Sequence, residues 1–447
     1  MSWQKVKLKE VINQIKDSVL IDNSKDYKLV TVSNKGVIKL REIVKGVEIS
    51  ANKAFVAKKG QFIYSRLSIH NGAFGIIPSE LNGALVTSEM PLFEFKDIII
   101  PDFFIYSLKN NLFKFQLEQL TKGVGRTRVK ESSFLDLEID LPSIEIQNLI
   151  VSKIKSHENE GENISNELTH QLDLIKQLRQ AFLREAMQGK LVRTSELGVG
   201  SETGHELLAR IKAEKTKLIK EKKLKAGLAS SQTISLINNI KIPSHWVWCK
   251  ADEIFFITKL AGFEYSKHIK LSEHGEIPVV RAQNVRALNI DKKNLLYIDR
   301  QTSELLERCA LTKKSLLVTF IGAGIGDVAT FEENERWHLA PNVAKMEPFI
   351  GCENLLSVKF INYFMMSDIG QKEIFKHVKA TAQPSLSMGT IRDIDIPLPP
   401  LHEQEQIVAK LEELMAFCDG LEQSIKESQG YNEKLLQQVL REALQPE

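Results

Sequence analysis

The most catalytic-looking residues in this sequence are a glycine-rich run, FIGAGIGD at Phe320–Asp327, which follows the strand-like segment SLLVT. Glycines at such spacing let backbone N–H groups approach a nucleotide or S-adenosylmethionine, provided the loop opens a helix whose N-terminus faces the ligand. That helix is missing, because the following DVATFEENERW is β-branched and turn-like with no helical period. The run therefore predicts a tight hairpin. An amino-methylating enzyme would also need an Asn/Asp-Pro-Pro-aromatic motif to hold a flipped base, and no segment supplies one. HExxH, GxSxG and Walker motifs are absent, as are carboxylate pairs at metal spacing. His377 and His402 read as surface or packing residues. Cys249, Cys309, Cys352 and Cys418 lie far apart without a CxxC and read as reduced, structural thiols. Neither a catalytic centre nor a metal site is expected.

What remains are polar and basic clusters suited to phosphates and base edges. TKGVGRTRVK, Thr121–Lys130, puts Arg126, Arg128 and Lys130 on a glycine-loosened loop, and VKATAQPSLS, Val378–Ser387, carries Lys379, Gln383 and Ser385. TVSNKG, Thr31–Gly36, offers Asn34 and Lys35, and RAQNVR, Arg281–Arg286, offers Arg281, Gln283, Asn284 and Arg286. Arg66, next to last in the strand-like GQFIYSRL, joins the candidates. Arginine suits guanine and glutamine suits adenine, although both also hold phosphates. An ordinary surface role is the plainer alternative for any one of them.

These clusters occupy corresponding places in an internal repeat. IDLPSIEIQNLIVSKI from Ile139 returns as IPLPPLHEQEQIVAKL from Ile396, and the same offset of 257 carries Leu183–Ala186 onto Leu440–Ala443 without a gap. Trp3 and Glu10 likewise resemble Trp246 and Glu253. The whole chain therefore reads as two similar halves.

Each repeat ends in a helical stripe at alternating spacings of four and three. One runs Ile150, Ile154, His157, Gly161, Ile164, Leu168, Gln171, Ile175, Leu178, Phe182. The other runs Ile407, Leu411, Leu414, Cys418, Leu421, Ile425, Ser428, Asn432, Leu435, Val439, with small facing small at Gly161 and Cys418. Each helix has room for about 44 residues, or ~66 Å, which predicts a helix pair. The intervening segments alternate strand-like and helical runs. After the first long helix, eight Lys or Arg from Arg210 to Lys225 face only Glu214 and Glu221, a solvated helix face or a partner contact. Gly227–Asn239 reads as a linker.

Composition sets the outer limits. The 447 residues predict several domains. With 43% hydrophobic and 26% charged residues, disorder and collagen are excluded. No run reaches the ~18–20 apolar residues of a membrane span, so a cytoplasmic protein is expected. A net charge of +3 gives no overall basic footprint, so a nucleic-acid partner must be argued from local patches.

The pattern resembles the specificity subunit of Type I restriction-modification enzymes over nearly the whole chain. Ile396–Ile425 resembles the family's Pro-Leu-Pro-Pro segment with its Glu-Gln pair, here Glu403 and Gln404. Ile242–Ile254 resembles the opening of a target recognition domain, and ELLARIKAEKTKLIK the segment before it. The resemblance implies an α+β fold: two mixed α/β target recognition domains, residues 1–141 and 241–398, held apart by two long antiparallel coiled-coil helices at roughly 145–190 and 402–445. Residues 142–240 form the central region and 399–447 the C-terminal region. It implies a non-catalytic chain that reads a bipartite, asymmetric site in double-stranded DNA. Two methylation subunits and the restriction subunits would be partners, with S-adenosylmethionine, ATP and magnesium on those partners and none on this chain. Glu403, Gln404 and Gln147 become expected partner-subunit contacts. Ile146 stands where the second repeat has Glu403, and Lys314 and Ser315 replace the family's usual Gly-Asp pair. The competing readings are a stand-alone S-adenosylmethionine-dependent methyltransferase and a coiled-coil scaffold without DNA contact.

Overall fold

The structure, a computed structural model, describes residues 3–15, 18–51, 53–121, 128–192, 202–224, 240–322, 324–376 and 385–445. It forms two units, Met1–His170 with Ile425–Glu447, and Gln171–Ser424.

In the first unit, short apolar runs bounded by turn residues make two sheets. Ile12–Gln14, Leu92–Phe95, Phe62–Tyr64 and Phe74–Ile76 lie in that order, antiparallel throughout. The other sheet runs Ser18–Leu20, Lys53–Val56, Leu85–Val86, Asp26–Val32, Ile38–Lys45, with one parallel pairing, Leu29 opposite Leu85. Helices Pro101–Lys109, Asn111–Thr121 and Glu131–Leu135 contribute to a core built on aromatic rings. Phe104 meets Phe62 edge-on at 5.0 Å, and Phe134 lies 4.6 Å from Tyr64. Such pairs add about 0.5–1.5 kcal/mol beyond area burial. Gln4–Lys7 pairs with Glu138–Leu141, so the segment between them leaves and returns at one place.

The second unit repeats most of this plan. Phe255–Lys259, Val343–Pro348, Ser315–Thr319 and Val328–Phe331 form the first sheet. Leu296–Ile298, Ile277–Val280, Trp337–Leu339 and Ala310–Leu311 form the second, again with one parallel pairing, Val279 opposite His338. Val247–Lys250 pairs with Asp395–Leu398. Ser315–Thr319 and Ile277–Val280 are buried along their whole length, which is why they read as unbroken apolar runs without alternation. The strand Ser18–Leu20 has no counterpart; the helix Gly262–His268 stands at that point of the repeat.

Both long helices are present, Ile144–Ala186 and Leu401–Ala443, 43 residues each. Within the first unit, Asn432 Nδ2 donates to the Gly161 carbonyl at 2.8 Å, while Leu444 joins Ile150, Val151 and Ile154, so the segments run antiparallel. Within the second, Arg179 bridges Asp419 at 2.7 Å and Glu422 at 2.9 Å. The seam departs from the expected stripe at several positions. Leu435 is 55% exposed and Ser428 is exposed, whereas Gln429 and Leu436 are half-buried, and Leu421, at 37%, is about as exposed as its neighbour Glu422. Ile164 also faces out, at 46%. Gly161 does not meet a small residue: a Cβ there would lie 2.8 Å from Leu436.

Candidate nucleic-acid interface

In the first unit two turns and the segment Arg128–Lys130 converge. The hairpin between Asp26–Val32 and Ile38–Lys45 closes through Ser33, whose carbonyl accepts from Gly36 N at 2.9 Å, leaving Asn34 and Lys35 exposed at its tip. Gly36 has φ +75, and an added Cβ would stand 2.9 Å from the Phe74 carbonyl. A Cβ on Gly72 would stand 2.7 Å from the Asn34 carbonyl, so this tip rests on the Ser65–Ala73 turn. Arg66 opens that turn, and its carbonyl accepts from Val129 N at 2.9 Å, drawing in Arg128 and Lys130. Arg66 is paired with Glu131, and Arg128 Nε with Glu89 at 2.9 Å, while Lys130 is exposed.

The second unit assembles the same three pieces. The turn after Ile277–Val280 is RAQNVR, in the position TVSNKG holds in the first unit. Leu288 N donates to the Val328 carbonyl at 2.9 Å, tying this turn to the glycine run. Leu386 N donates to the Phe320 carbonyl at 2.9 Å, and Ser385 bridges Ile321, matching the contact of Val129 with Arg66 one repeat earlier. Gln283, Arg286 and Ser385 are exposed. Arg281 Nη2 is committed to the Asn294 carbonyl at 2.7 Å. Burial pushes the Asp327 carboxyl above the ordinary range, and the nearby Arg286 guanidinium partly offsets this. Arg126, Lys379 and Gln383 lie outside the described residues, as does His377.

Four expectations are corrected. Asn284 is 1% exposed: its Oδ1 accepts from Arg281 N at 3.1 Å and its Nδ2 donates to the Asp291 carbonyl at 3.0 Å. It staples the turn from inside and offers nothing to DNA. Gln147 and Gln404 are fully buried at the starts of the two long helices. Gln147 accepts from Ile100 N at 2.8 Å and donates to the Ile98 and Pro142 carbonyls; Gln404 accepts from Ser357 N at 2.9 Å and donates to the Pro399 carbonyl. Glu403, 1% exposed, accepts from Trp246 Nε1 at 2.9 Å and lies 2.8 Å from His245 Nε2. Buried side chains with satisfied polar atoms present no surface to a partner; all three anchor the folded segments to the helix start. Ile146, in the place of Glu403, is 42% exposed.

FIGAGIGD is the tip between the antiparallel strands Ser315–Thr319 and Val328–Phe331, with Gly322, Gly324 and Gly326 at positive φ. It opens no helix, so the context for holding a nucleotide phosphate is missing. The basic segment forms the helix Gly204–Lys220, capped by Thr203 and Glu206, with Leu207, Leu208, Ile211 and Leu218 buried. Three of its cations are engaged locally: Arg210 with Glu202 at 2.6 Å, Lys212 with Glu253 at 2.7 Å, and Lys215 with the Asp252 carbonyl at 2.5 Å. Among the described residues no group of His, Cys, Asp or Glu could hold a metal, and no helix is long and apolar enough to cross a membrane. The four cysteines are free and buried, and burial pushes Cys309 and Cys352 up to about 11.

Glu89, Glu131 and Asp327 were not anticipated, because carboxylates attract no notice in a search for anion-binding residues. The available signal was their spacing from the basic loops: Glu131 directly follows Lys130, and Asp327 ends the glycine run.

The Type I restriction modification DNA specificity domain, as a family model, matches residues 1–173 and again 243–428. The EcoBI specificity subunit of Escherichia coli is 21% identical, over 100% of this chain and 86% of its own length. A chain from a structural study of complex assembly and conformational transition of the type I R-M system superposes with a TM-score of 0.66 at 15% identity, covering 99% of this chain and 98% of that one. The HsdS subunit from Thermoanaerobacter tengcongensis superposes with a TM-score of 0.51 at 16% identity, covering 99% and 96%. With its sheets, turns and long helices repeated in both units, the chain belongs to the family of Type I restriction-modification DNA specificity proteins.

Proposed function

We infer that this chain is the DNA-reading, non-catalytic subunit of a Type I restriction-modification complex, each unit presenting one head to one half of a split site. The observation that carries this reading is the convergence of topologically equivalent segments in both units, which leaves Asn34, Lys35, Arg128 and Lys130 exposed in the first and Gln283, Arg286 and Ser385 exposed in the second. Lys35, Arg128 and Lys130 in the first unit, and Gln283, Arg286 and Ser385 in the second, are the contacts we assign to DNA. Residues 1–141 and 241–398 are the proposed recognition domains. The protein acts in the cytoplasm, where its target DNA lies.

Two methylation subunits and the restriction subunits complete the assembly, bringing S-adenosylmethionine, ATP and magnesium. Methylation subunits dock on outward apolar residues of the long helices: Ile164, Tyr431 and Leu435 in the first unit, Leu174, Phe417 and Leu421 in the second, all at least 37% exposed. Exposed apolar stripes on paired helices suit further helices.

The test is to co-express the chain with a methylation subunit from its own genomic neighbourhood and map methyladenine in host DNA. A split motif with a fixed spacer is expected. A stable complex that methylates nothing and shows no salt-dependent duplex binding would leave a scaffold.

A further inference from the structure

We propose that in the first unit the whole two-stranded ribbon Asp26–Lys45, and not only its tip, lies along the DNA. This rests on the reading of the chain as a DNA specificity subunit. Three observations carry it.

The first is exposure. Ile38–Lys45 is the edge strand of its sheet, and Lys39, Leu40, Arg41, Glu42 and Ile43 are exposed one after another. A strand covering a core alternates; five exposed residues in succession mean that neither face is covered. The equivalent strands of the second unit, Ile277–Val280 and Leu296–Ile298, are buried or half-buried, so the feature belongs to one head only.

The second is charge. The ribbon Asp26–Lys45 holds five basic side chains, Lys28, Lys35, Lys39, Arg41 and Lys45, against Asp26 and Glu42. The resulting +3 equals the net charge of the entire chain. Lys25 pairs with Asp22 at 3.6 Å and Arg41 with its neighbour Glu42 at 3.0 Å, while Lys35, Lys39 and Lys45 form no ion pair among the described residues.

The third is continuity. The ribbon's tip is the Asn34–Lys35 turn already placed at the interface, and the two strands, of 7 and 8 residues, extend about 25 Å from it. A two-stranded ribbon fits the ~12 Å width of the major groove. The β-bulge between Leu29 and Val30 leaves Arg41 as the extra residue and twists the strand, which re-aims its side chains.

The plainer account is that these charges keep an open edge from pairing with other chains. Protection works with either sign of charge; attraction to phosphates works with one. The experiment therefore reverses the sign, with Lys39→Glu, Arg41→Glu and Lys45→Glu together in the full chain assembled with its methylation subunits, on a duplex carrying the mapped site. The slope of log affinity against log salt is expected to fall by about two to three units, and affinity at low salt by roughly 100-fold, with assembly intact in the absence of DNA. Lys39→Gln, Arg41→Gln and Lys45→Gln together give the same direction with a smaller loss, and serve if the reversed chain does not fold. Unchanged slope and affinity in a folded triple variant overturn the proposal. So does loss of assembly without DNA, which would assign the ribbon to a protein partner. A wild-type complex that binds no duplex removes the DNA-reading function itself, a separate result.

Discussion

At the scale of single residues, the interface is governed by carboxylates beside the basic groups. Glu89 holds Arg128 at 2.9 Å and stands where phosphates would come. Glu89→Gln should raise non-specific duplex affinity and steepen the salt dependence by about one unit, read by titration at several salt concentrations. Asp327 is held protonated to a higher pH than in the unfolded chain, because burial disfavours its charge. Its contribution to stability is thus full below the ordinary carboxylate range and is lost as pH rises through the raised value. Asp327→Asn should flatten that decline in thermal unfolding across acid to neutral pH, and should strengthen duplex binding severalfold at neutral pH by removing a charge that repels phosphate. Glu403 acts differently, as a buried acceptor. Glu403→Ala leaves the Trp246 N–H without a partner and should cost about 2–3 kcal/mol in denaturant unfolding. An unchanged midpoint would show that the buried bonds matter little and would return Glu403 to a partner-contact role.

At the scale of elements, turn chemistry brings the contacts together. Gly36 combines φ +75 with a backbone carbonyl 2.9 Å from any added Cβ. Gly36→Ala should cost about 1–2 kcal/mol and push the Asn34–Lys35 tip off the Ser65–Ala73 turn. Methylation mapping should then show relaxed preference in one half-site and an unaltered second half-site. Much of this level was legible: the hairpin at FIGAGIGD, both long helices and the correspondence of TVSNKG with RAQNVR follow from periodicity and turn residues. The helix seam was legible only to within one residue. Leu421 and Glu422 both lie close to the seam, and a heptad pattern with Leu421 turned inward scores better on hydrophobicity. In the structure Glu422 pairs with Arg179 at 2.9 Å, and both Leu421 and Glu422 stay partly exposed.

For the whole molecule, we propose that the length of the two 43-residue helices sets the spacing between the half-sites of the split DNA target. Inserting seven residues into each preserves the heptad and lengthens the pair by ~10 Å, about three base pairs of duplex. The mapped spacer should grow by that amount while both half-sites stay the same. A spacer that does not change would mean that something other than helix length sets it.

The sequence by itself determined the repeat, the two long helices, the lack of a recognisable catalytic motif and the family, since all of these reside in local period, spacing and motif. Tertiary structure decided which polar side chains are available. Asn284 looks like a contact residue by type, and Gln147, Glu403 and Gln404 by the family resemblance, yet Asn284 is buried against backbone groups of its own turn and the other three against backbone groups or indole and imidazole nitrogens, some of them from distant segments. Lys39 and Lys45 attracted no attention in sequence, yet stand in the open on an uncovered edge strand. The reason is physical: whether an amide or a charge meets solvent depends on what the chain packs over it, and those neighbours are up to 158 residues away, as with Glu403 and His245.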